Sequence, residues 1–384
     1  MTQAYEPIMK ILMLCYEFPP LGGGGAKVVS GLSRELVRLG HKVDVVTMGF
    51  RGLPKHEKVN GVNVYRVPCL RKNESLCNPI EMASYLMMAI PKVIQLIRHG
   101  NYDLNHTHFI FPDGIIALIA KRFTQLAYII TAHGSDVPGY NPHRFMWEHK
   151  LLFPLWKRIT QRASQIACPS ENLKSLILKH NPELPIRVVP NGIDLDKFNP
   201  GRPKQKRVLV VTRMFERKGV QYILKAVEGL DLTHEIHIVG DGPYLETLRK
   251  LADDLKVDVK FWGQLDNTSG PLIELYETSD IFILASEAEN FPIVLLEAMA
   301  AGLAIITTQG TGCAEVVGDA GVLVKPKDSE SLREALIGFM NAPDRTRELG
   351  RAARRRLESR FGWAEVAGQY SEIYKKNAFG QGSG

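Results

Sequence analysis

IMKILMLCYEFPPLGGGGAKVVSGLSRELVRLGHKVDVVT, residues 8–47, holds a complete strand, loop, helix and second strand. Ile8–Tyr16 is apolar but for Lys10 and reads as a buried strand covered on both faces. Lys27–Leu39 spaces its apolar residues at helical intervals, and Gly40 stands where a helix ends. Val43–Thr47 predicts the next strand. A strand that reaches the next through a helix pairs with it in parallel, because the crossover returns the chain to the same end of the sheet.

The same rhythm continues outward. Val62–Val67, Ala127–Thr131 and Ile186–Val189 read as strands; residues 80–98, Gly114–Phe123, 145–162 and Ser170–His180 read as helices. The stretch NPGRPKQKR, residues 199–207, is rich in Pro, Gly and Lys and predicts a linker. Strand and helix then alternate again: Val208–Thr212, Gly219–Val227, Ile236–Val239, Tyr244–Leu255, Val259–Trp262, Ile281–Ala285, Pro292–Ala300 and Ala304–Thr307. The expected architecture is α/β, with two doubly wound Rossmann-like domains over residues 1–198 and 199–360 facing a central cleft. Ligands of such sheets sit at the carboxyl ends of the strands.

Composition narrows the class. With 384 residues, 45% apolar and 23% charged, the chain suits a soluble globular protein of about two domains. No apolar run is read as reaching the roughly 20 residues of a membrane span, and MTQAYEPIMK lacks the order of a secretory signal. Five cysteines without a C-x-x-C pair predict a reducing compartment, hence the cytosol. The formal charge of +7 favours anionic partners. Part of it lies in RTRELGRAARRRLESR, residues 345–360, which reads equally as a solvated helix face.

Four loops carry candidate chemistry. FPPLGGGGAKVV, residues 18–29, follows the first strand, and consecutive glycines ahead of a helix let backbone N–H groups approach an anion. It fits neither a Walker loop nor G-x-G-x-x-G. VVTRMFERKGV, residues 210–220, places Arg213 and Lys218 between a strand and a helix, where a fork and a point charge can converge on a diphosphate. SEAENFPIVLLEAMAAG, residues 286–302, sets Glu289 in a loop and Glu297 within a helix. Such carboxylates accept hydrogen bonds from vicinal diols. ITAHGSD, residues 130–136, puts His133 in a Gly-flanked loop at a strand end, with Asp136 a weaker candidate. Each has a plain alternative: a flexible turn, solvated cations, a surface Glu, a structural His. Asp194-Leu195-Asp196 matches D-x-D but lies beside an Asn-Gly turn, and His106-Thr107-His108 has no evident third ligand, so neither is read as a metal site.

Together these stretches resemble retaining glycosyltransferases of family GT4, which have the GT-B fold. PPLGGGG, LGHKVDVVT, TAHGSD, VPNGIDLDKF, VVTRMFERKG, VGDGP, FWGQL, SEAENFPIVLLEAMAAG and TTQGTG stand in family order over nearly the whole chain. The resemblance implies a hexosyltransferase using a nucleotide-diphosphate sugar, UDP ahead of GDP, without a metal or other cofactor. It implies that Gly23 and Gly24 meet the donor phosphate through backbone N–H groups and that Arg213 and Lys218 neutralise the diphosphate. Glu297 would hold the ribose, and Glu289, Asn290, Phe291 and Pro292 the hexose. His133 would stand beside the reacting sugar, and Trp262 and Leu265 would edge the base. His133, Arg213, Lys218 and Glu289 are the expected catalytic set. Asn290 stands where Gly is commoner in the family, which leaves the hexose open. The resemblance also returns the C-terminal helix, within residues 361–384, to the first domain.

The implied acceptor is a sugar, polyol or lipid-linked glycan. FMWEHKLLFPLWKRITQR, residues 145–162, mixes aromatics with cations and suits either a core helix or contact with the inner face of a membrane. No nucleic-acid-binding motif is present. A sugar-nucleotide epimerase and a non-catalytic nucleotide-sugar binder share the two-domain shape, but the paired Glu residues, the Arg–Lys pair and His133 favour transfer.

Overall fold

The computed structural model describes residues 7–74, 77–140 and 146–379. Residues 1–6, Phe145 and the terminal GQGSG stretch lie outside them. The chain forms two compact units, residues 1–192 with 363–384, and residues 193–362.

The first unit is built on strands β1 (Lys10–Leu14), β2 (Lys42–Met48), β3 (His56–Val59) and β4 (Val62–Val67). Strands β5 (Leu104–His108), β6 (Tyr128–Thr131), β7 (Gln165–Cys168) and β8 (Ile186–Val188) complete its sheet. Its order is β3-β4-β2-β1-β5-β6-β7-β8, with β3 antiparallel to β4 and the other pairs parallel. The connecting helices are α1 (Gly24–Arg38), α2 (Pro79–Gly100), α3 (Asp113–Thr124), α4 (Met146–Arg162) and α5 (Glu171–Leu178). β1, β5 and β6 run through the core, and every residue of β5 and β6 is buried.

The second unit has β9 (Arg207–Val211), β10 (Glu235–Val239), β11 (Val259–Phe261), β12 (Ile281–Leu284), β13 (Ala304–Thr308) and β14 (Val322–Val324). They form one parallel sheet in the order β11-β10-β9-β12-β13-β14. Its helices are α6 (Val220–Val227), α7 (Leu245–Asp254), α8 (Gly270–Thr278), α9 (Ile293–Ala300), α10 (Gly312–Val317), α11 (Ser329–Asn341) and α12 (Pro343–Arg360). In each sheet the order reverses beside the first strand, between β1 and β5 and between β9 and β12. Such a switch point splays the loops apart and opens a crevice at the carboxyl ends.

The last helix, α13 (Trp363–Phe379), belongs to the first unit. A Cβ on Gly31 of α1 would come within 2.3 Å of the Trp363 indole, and one on Gly192 would do the same. Both positions are therefore closed to larger residues. Deeper in, His41 contacts the Ser371 hydroxyl at 3.0 Å, and His106 contacts the Tyr374 hydroxyl at 2.7 Å.

Two expectations need correction. The units divide at Gly192/Ile193 and again at Gly362/Trp363, not at 198/199 and 360/361. Ile193 N–H donates to Phe361 O at 2.9 Å, and Ile193, Phe198 and Phe361 are buried in the second unit's core. The polar stretch 199–207 is also tied down: Arg202 pairs with Glu277, and Lys204 Nζ donates to the carbonyls of Glu277 and Ala301. The second correction concerns α2, whose 22 residues are long and apolar enough to cross a membrane by length and composition. It is nevertheless a crossover helix, opened by a reciprocal Asn78–Glu81 capping box and burying Tyr85, Ala89 and Val93 in the core.

Candidate active site

In the second unit, the loops flanking the switch point are laced together through backbone. After β9 the chain makes a 3-10 turn, Glu216–Lys218, and leaves it through Gly219 at φ +75°. A Cβ there would fall 2.0 Å from the Ala285 carbonyl oxygen, so only glycine lets the turn lie against the end of β12. Glu287 N–H and the Ser286 hydroxyl both donate to Arg217 O, at 2.9 and 3.3 Å.

The lacing brings Lys218 and Glu289 into an ion pair, with only 10% and 13% of their side chains exposed. Beyond Glu289 the loop is clamped to α10: Gly312 N–H donates to Glu289 O at 2.9 Å, and a Cβ on Gly312 would lie 1.5 Å from Asn290 O. Asn290 and Phe291 are buried, with the Phe291 ring edge-on to Phe361 at 5.5 Å. Pro292 caps α9 from outside rather than opening it, and the helix begins at Ile293. Arg213 is exposed, its guanidinium 5.5 Å over the Phe215 ring.

Glu297 lies within α9 and is 2% exposed. Lys197 Nζ donates to its Oε1 at 2.5 Å, and the Tyr276 hydroxyl donates to its Oε2 at 3.1 Å. The carboxylates of the E-x7-E motif are thus two separate stations, each with its own cation. Trp262 Nε1–H donates to His237 Nδ1 at 3.1 Å, and Trp262 and Leu265 pack half-buried on the second unit's core.

In the first unit, the glycine run is part loop and part helix. Gly23 caps α1 and Gly24 opens it, three residues before the expected start at Lys27. An added Cβ at Gly23 or Gly24 would meet nothing within 4 Å, whereas one at Gly25 would come within 2.5 Å of Phe109. The Gly23 amide donates to Glu17 Oε2 at 3.2 Å, so a carboxylate already stands at this helix N-terminus.

His133 is half-buried after β6. Its Nε2 lies 3.2 Å from His108 Nδ1, and its ring packs on Phe109 at 4.3 Å. Asp136 fixes this loop: Oδ1 accepts from the His133 and Gly134 amides at 3.0 and 2.9 Å, and Oδ2 from Ile110 N–H at 2.8 Å. Burial holds the His133 imidazole down at about 4 and His106 at about 3, and lowers His108 as well. All three rings are neutral near pH 7. Both ring nitrogens of His106 are engaged, by Tyr374 and Thr131, and no group of three His, Cys, Asp or Glu among the described residues can hold a metal ion.

Sequence reasoning missed Lys197 and Tyr276, weighed His108 only as half of a metal pair, and gave Asp136 little weight. Lys197 stands in the quoted VPNGIDLDKF stretch, where only the Asn191-Gly192 turn and the D-x-D look-alike were weighed. Tyr276 lies on α8 and His108 on β5, elements whose polar residues hid them.

The site can bind an anion beside Lys218 and Arg213 and hydroxyl-rich groups beside Glu289 and Glu297. The Glycosyltransferase Family 4 model matches residues 22–197, and the Glycosyl transferases group 1 model matches residues 193–356. An uncharacterized glycosyltransferase of Methanocaldococcus jannaschii is 27% identical, the alignment covering 96% of this chain and 98% of that one. N-acetyl-alpha-D-glucosaminyl L-malate synthase of Bacillus anthracis is 26% identical over 95% and 96%. Among solved structures, sucrose-phosphate synthase of Thermosynechococcus elongatus superposes with a TM-score of 0.81 at 21% identity, covering 96% and 98%. Anabaena HepE in complex with UDP gives 0.76 at 18% identity, covering 96% and 100%. The chain belongs to glycosyltransferase family 4, and it is a glycosyltransferase of the GT-B fold.

Proposed function

We propose that this glycosyltransferase moves a hexose from a nucleotide-diphosphate sugar, a UDP-sugar ahead of a GDP-sugar, to a sugar, polyol or lipid-linked acceptor with retention and without a metal. The observation that carries this reading is the Lys218–Glu289 pair, held in a glycine-closed turn across the β9/β12 switch point. Breaking the sugar–phosphate bond moves negative charge onto the leaving diphosphate. Lys218 is a cation held by its turn before that charge develops, and Arg213 adds a second, exposed cation from the same β9–α6 loop. Glu289, released from Lys218 by the arriving phosphate, is free to accept hexose hydroxyls along with Asn290, Phe291 and Pro292. Glu297 and Tyr276 serve the ribose, and Trp262 and Leu265 edge the base. Support for the UDP preference comes from the HepE structures with UDP and UDP-glucose.

Retention follows in this proposal from front-face attack by the acceptor, its proton passing to the leaving phosphate. A thermal-shift screen of UDP-, GDP- and ADP-sugars identifies the donor, since a bound ligand raises the melting temperature. Proton NMR of the first-formed product reads its anomer, and inversion would sink the reading. Transfer should continue in excess EDTA; loss reversed by Mg²⁺ would defeat the metal-free account.

We also propose that the enzyme works at the cytoplasmic face of a membrane bearing its acceptor. Ile80 and Met87 on α2 and Leu151 on α4 are 72%, 71% and 81% exposed, although Trp156 and Ile159 of the 145–162 stretch are core. Failure to sediment with anionic vesicles at low salt would remove this part.

A further inference from the structure

β10 reads Glu-Ile-His-Ile-Val and buries a histidine, His237, among aliphatic neighbours. His237 pairs in register with Lys260 of β11, and Trp262 N–H donates to Ile238 O at 2.9 Å, which carries the pairing one step past the strand end. The Trp262 ring lies 5.8 Å from that of His237. Both nitrogens of the imidazole are engaged: Trp262 Nε1–H donates to Nδ1 at 3.1 Å, and Nε2 lies 3.0 Å from Glu235 Oε2. Glu235 is held in turn by Arg207 Nε at 3.2 Å, and the Lys260 ammonium sits 4.5 Å over the Trp262 ring.

One proton placement satisfies this chain of contacts. An indole N–H can only donate, and an ionised carboxylate can only accept. Hydrogen bonds from His237 and Arg207 hold Glu235 below the usual carboxylate range, so it is ionised near pH 7. Burial lowers the His237 imidazole from its ordinary value despite the pull of Glu235, so the ring is neutral there and carries one proton. On Nδ1 that proton would meet the indole N–H head-on and leave the carboxylate facing a lone pair. On Nε2 it completes the run Arg207–Glu235–His237–Trp262 with every donor matched to an acceptor.

The indole is thereby tied to the strand beside it, and Trp262 opens the turn that follows β11. Gly263, at φ +65°, gives its carbonyl to Gly240 N–H at 2.8 Å, and a Cβ on Gly240 would fall 1.8 Å from Thr212 O. The turns after β9, β10 and β11 therefore abut through backbone, all at the carboxyl end of one sheet. We infer that His237, as the Nε2–H tautomer, is a positioning residue that anchors the 262–265 turn through the Trp262 indole and so sets which nucleotide base the turn accepts. That role rests on the reading above that Trp262 and Leu265 edge the base; the tautomer does not.

The test uses the full chain labelled with ¹⁵N-histidine, the His237 signals being assigned by their loss in His237→Asn. At pH 7 His237 should show a bare Nδ1 and a protonated Nε2; the reverse pattern, or a doubly protonated ring, overturns the proposal. Calorimetry with UDP, GDP and ADP gives the base selectivity, taken as the Kd of the second-tightest diphosphate over that of the tightest. His237→Leu and Trp262→Phe break the same bond, so each should cut this ratio about two- to tenfold, the weight of one neutral hydrogen bond. The double variant should do no worse than either single one. His237→Asn, which offers an amide oxygen near the Nδ1 position, should keep the ratio within about twofold. Equal weakening of all three diphosphates with the ratio kept, or additive losses in the double variant, would overturn the anchoring role. If His237→Leu does not fold, Trp262→Phe, His237→Asn and the parent spectrum still decide. An unchanged ratio in Leu265→Ala, with the tautomer correct, would instead fault the placement of the base at this turn, and the selectivity role would fall with it.

Discussion

The two switch points solve different problems with the same topology. At β9/β12 the loops are closed on each other by glycines that admit no side chain, and they present ions: Lys218, Arg213 and Glu289, with Glu297 and Lys197 behind. At β1/β5 Gly23 and Gly24 at the helix start stand open, and beside the backbone amides and the Glu17 carboxylate lie three uncharged imidazoles. The difference follows from how each is built: glycine-closed turns hold ion pairs in one, and burial keeps the imidazoles of the other uncharged.

Glycine substitution should separate the two most strongly. Gly312→Ala drives a Cβ into Asn290 O and should destabilise the second unit by about 3 kcal/mol, seen as a lower urea midpoint. Gly24→Ala meets open space and should leave the midpoint unchanged or raised, because alanine is the better helix residue. Its effect should be a raised donor KM; an unstable Gly24→Ala would erase the contrast.

Lys218→Ala comes next. Its charge matters most as the bond breaks, so kcat should fall by one or more decades, each decade being about 1.4 kcal/mol. A raised KM at unchanged kcat would show that Lys218 only binds. The Glu289 carboxylate left behind is mostly buried, so some stability should be lost as well.

Acid should open the first unit before the second. Held below their ordinary 6.5, His106, His108 and His133 bind fewer protons folded than unfolded. The stability they contribute is present above pH 6.5 and is lost as the pH falls toward 4. Asp113, which burial pushes up to about 8, and Asp136, which burial also raises, have the opposite slope, but two carboxyls stand against three imidazoles. Hydrogen exchange at pH 7 and pH 5, resolved by peptide, checks this: protection should fall first in β5 and β6. Equal loss in β9 and β12 would contradict it.

Most of the fold was legible, because long apolar strands and amphipathic helices announce themselves. β5 was not. LNHTH carries one aliphatic side chain in five residues; it is a strand through its pairing with β1 and β6, and its His106 is satisfied by α13, some 260 residues away in sequence. β3 was missed for a related reason: HEKV is an exposed edge with little apolar signal. In the candidate site, Arg213, Lys218, Glu289 and Glu297 were singled out because charged groups at strand ends stand out. Their partners Lys197 and Tyr276 were not, since pairing across about 100 and 21 residues leaves no local pattern. The division at Gly192/Ile193 was displaced for the same cause: a polar stretch looks like a linker until Glu277 and Ala301 are seen to hold it.

The return of α13 sets an order of assembly during synthesis. Residues 193–362 are continuous and have all their parts once Gly362 is made. The earlier-made unit must wait, because Trp363, Ser371 and Tyr374 fill positions against Gly31, His41 and His106 that nothing else occupies. On the ribosome, where domains are usually finished in the order they emerge, the sequence here is reversed. A stop codon just after residue 362 should leave the downstream half sound and the upstream half open to proteases.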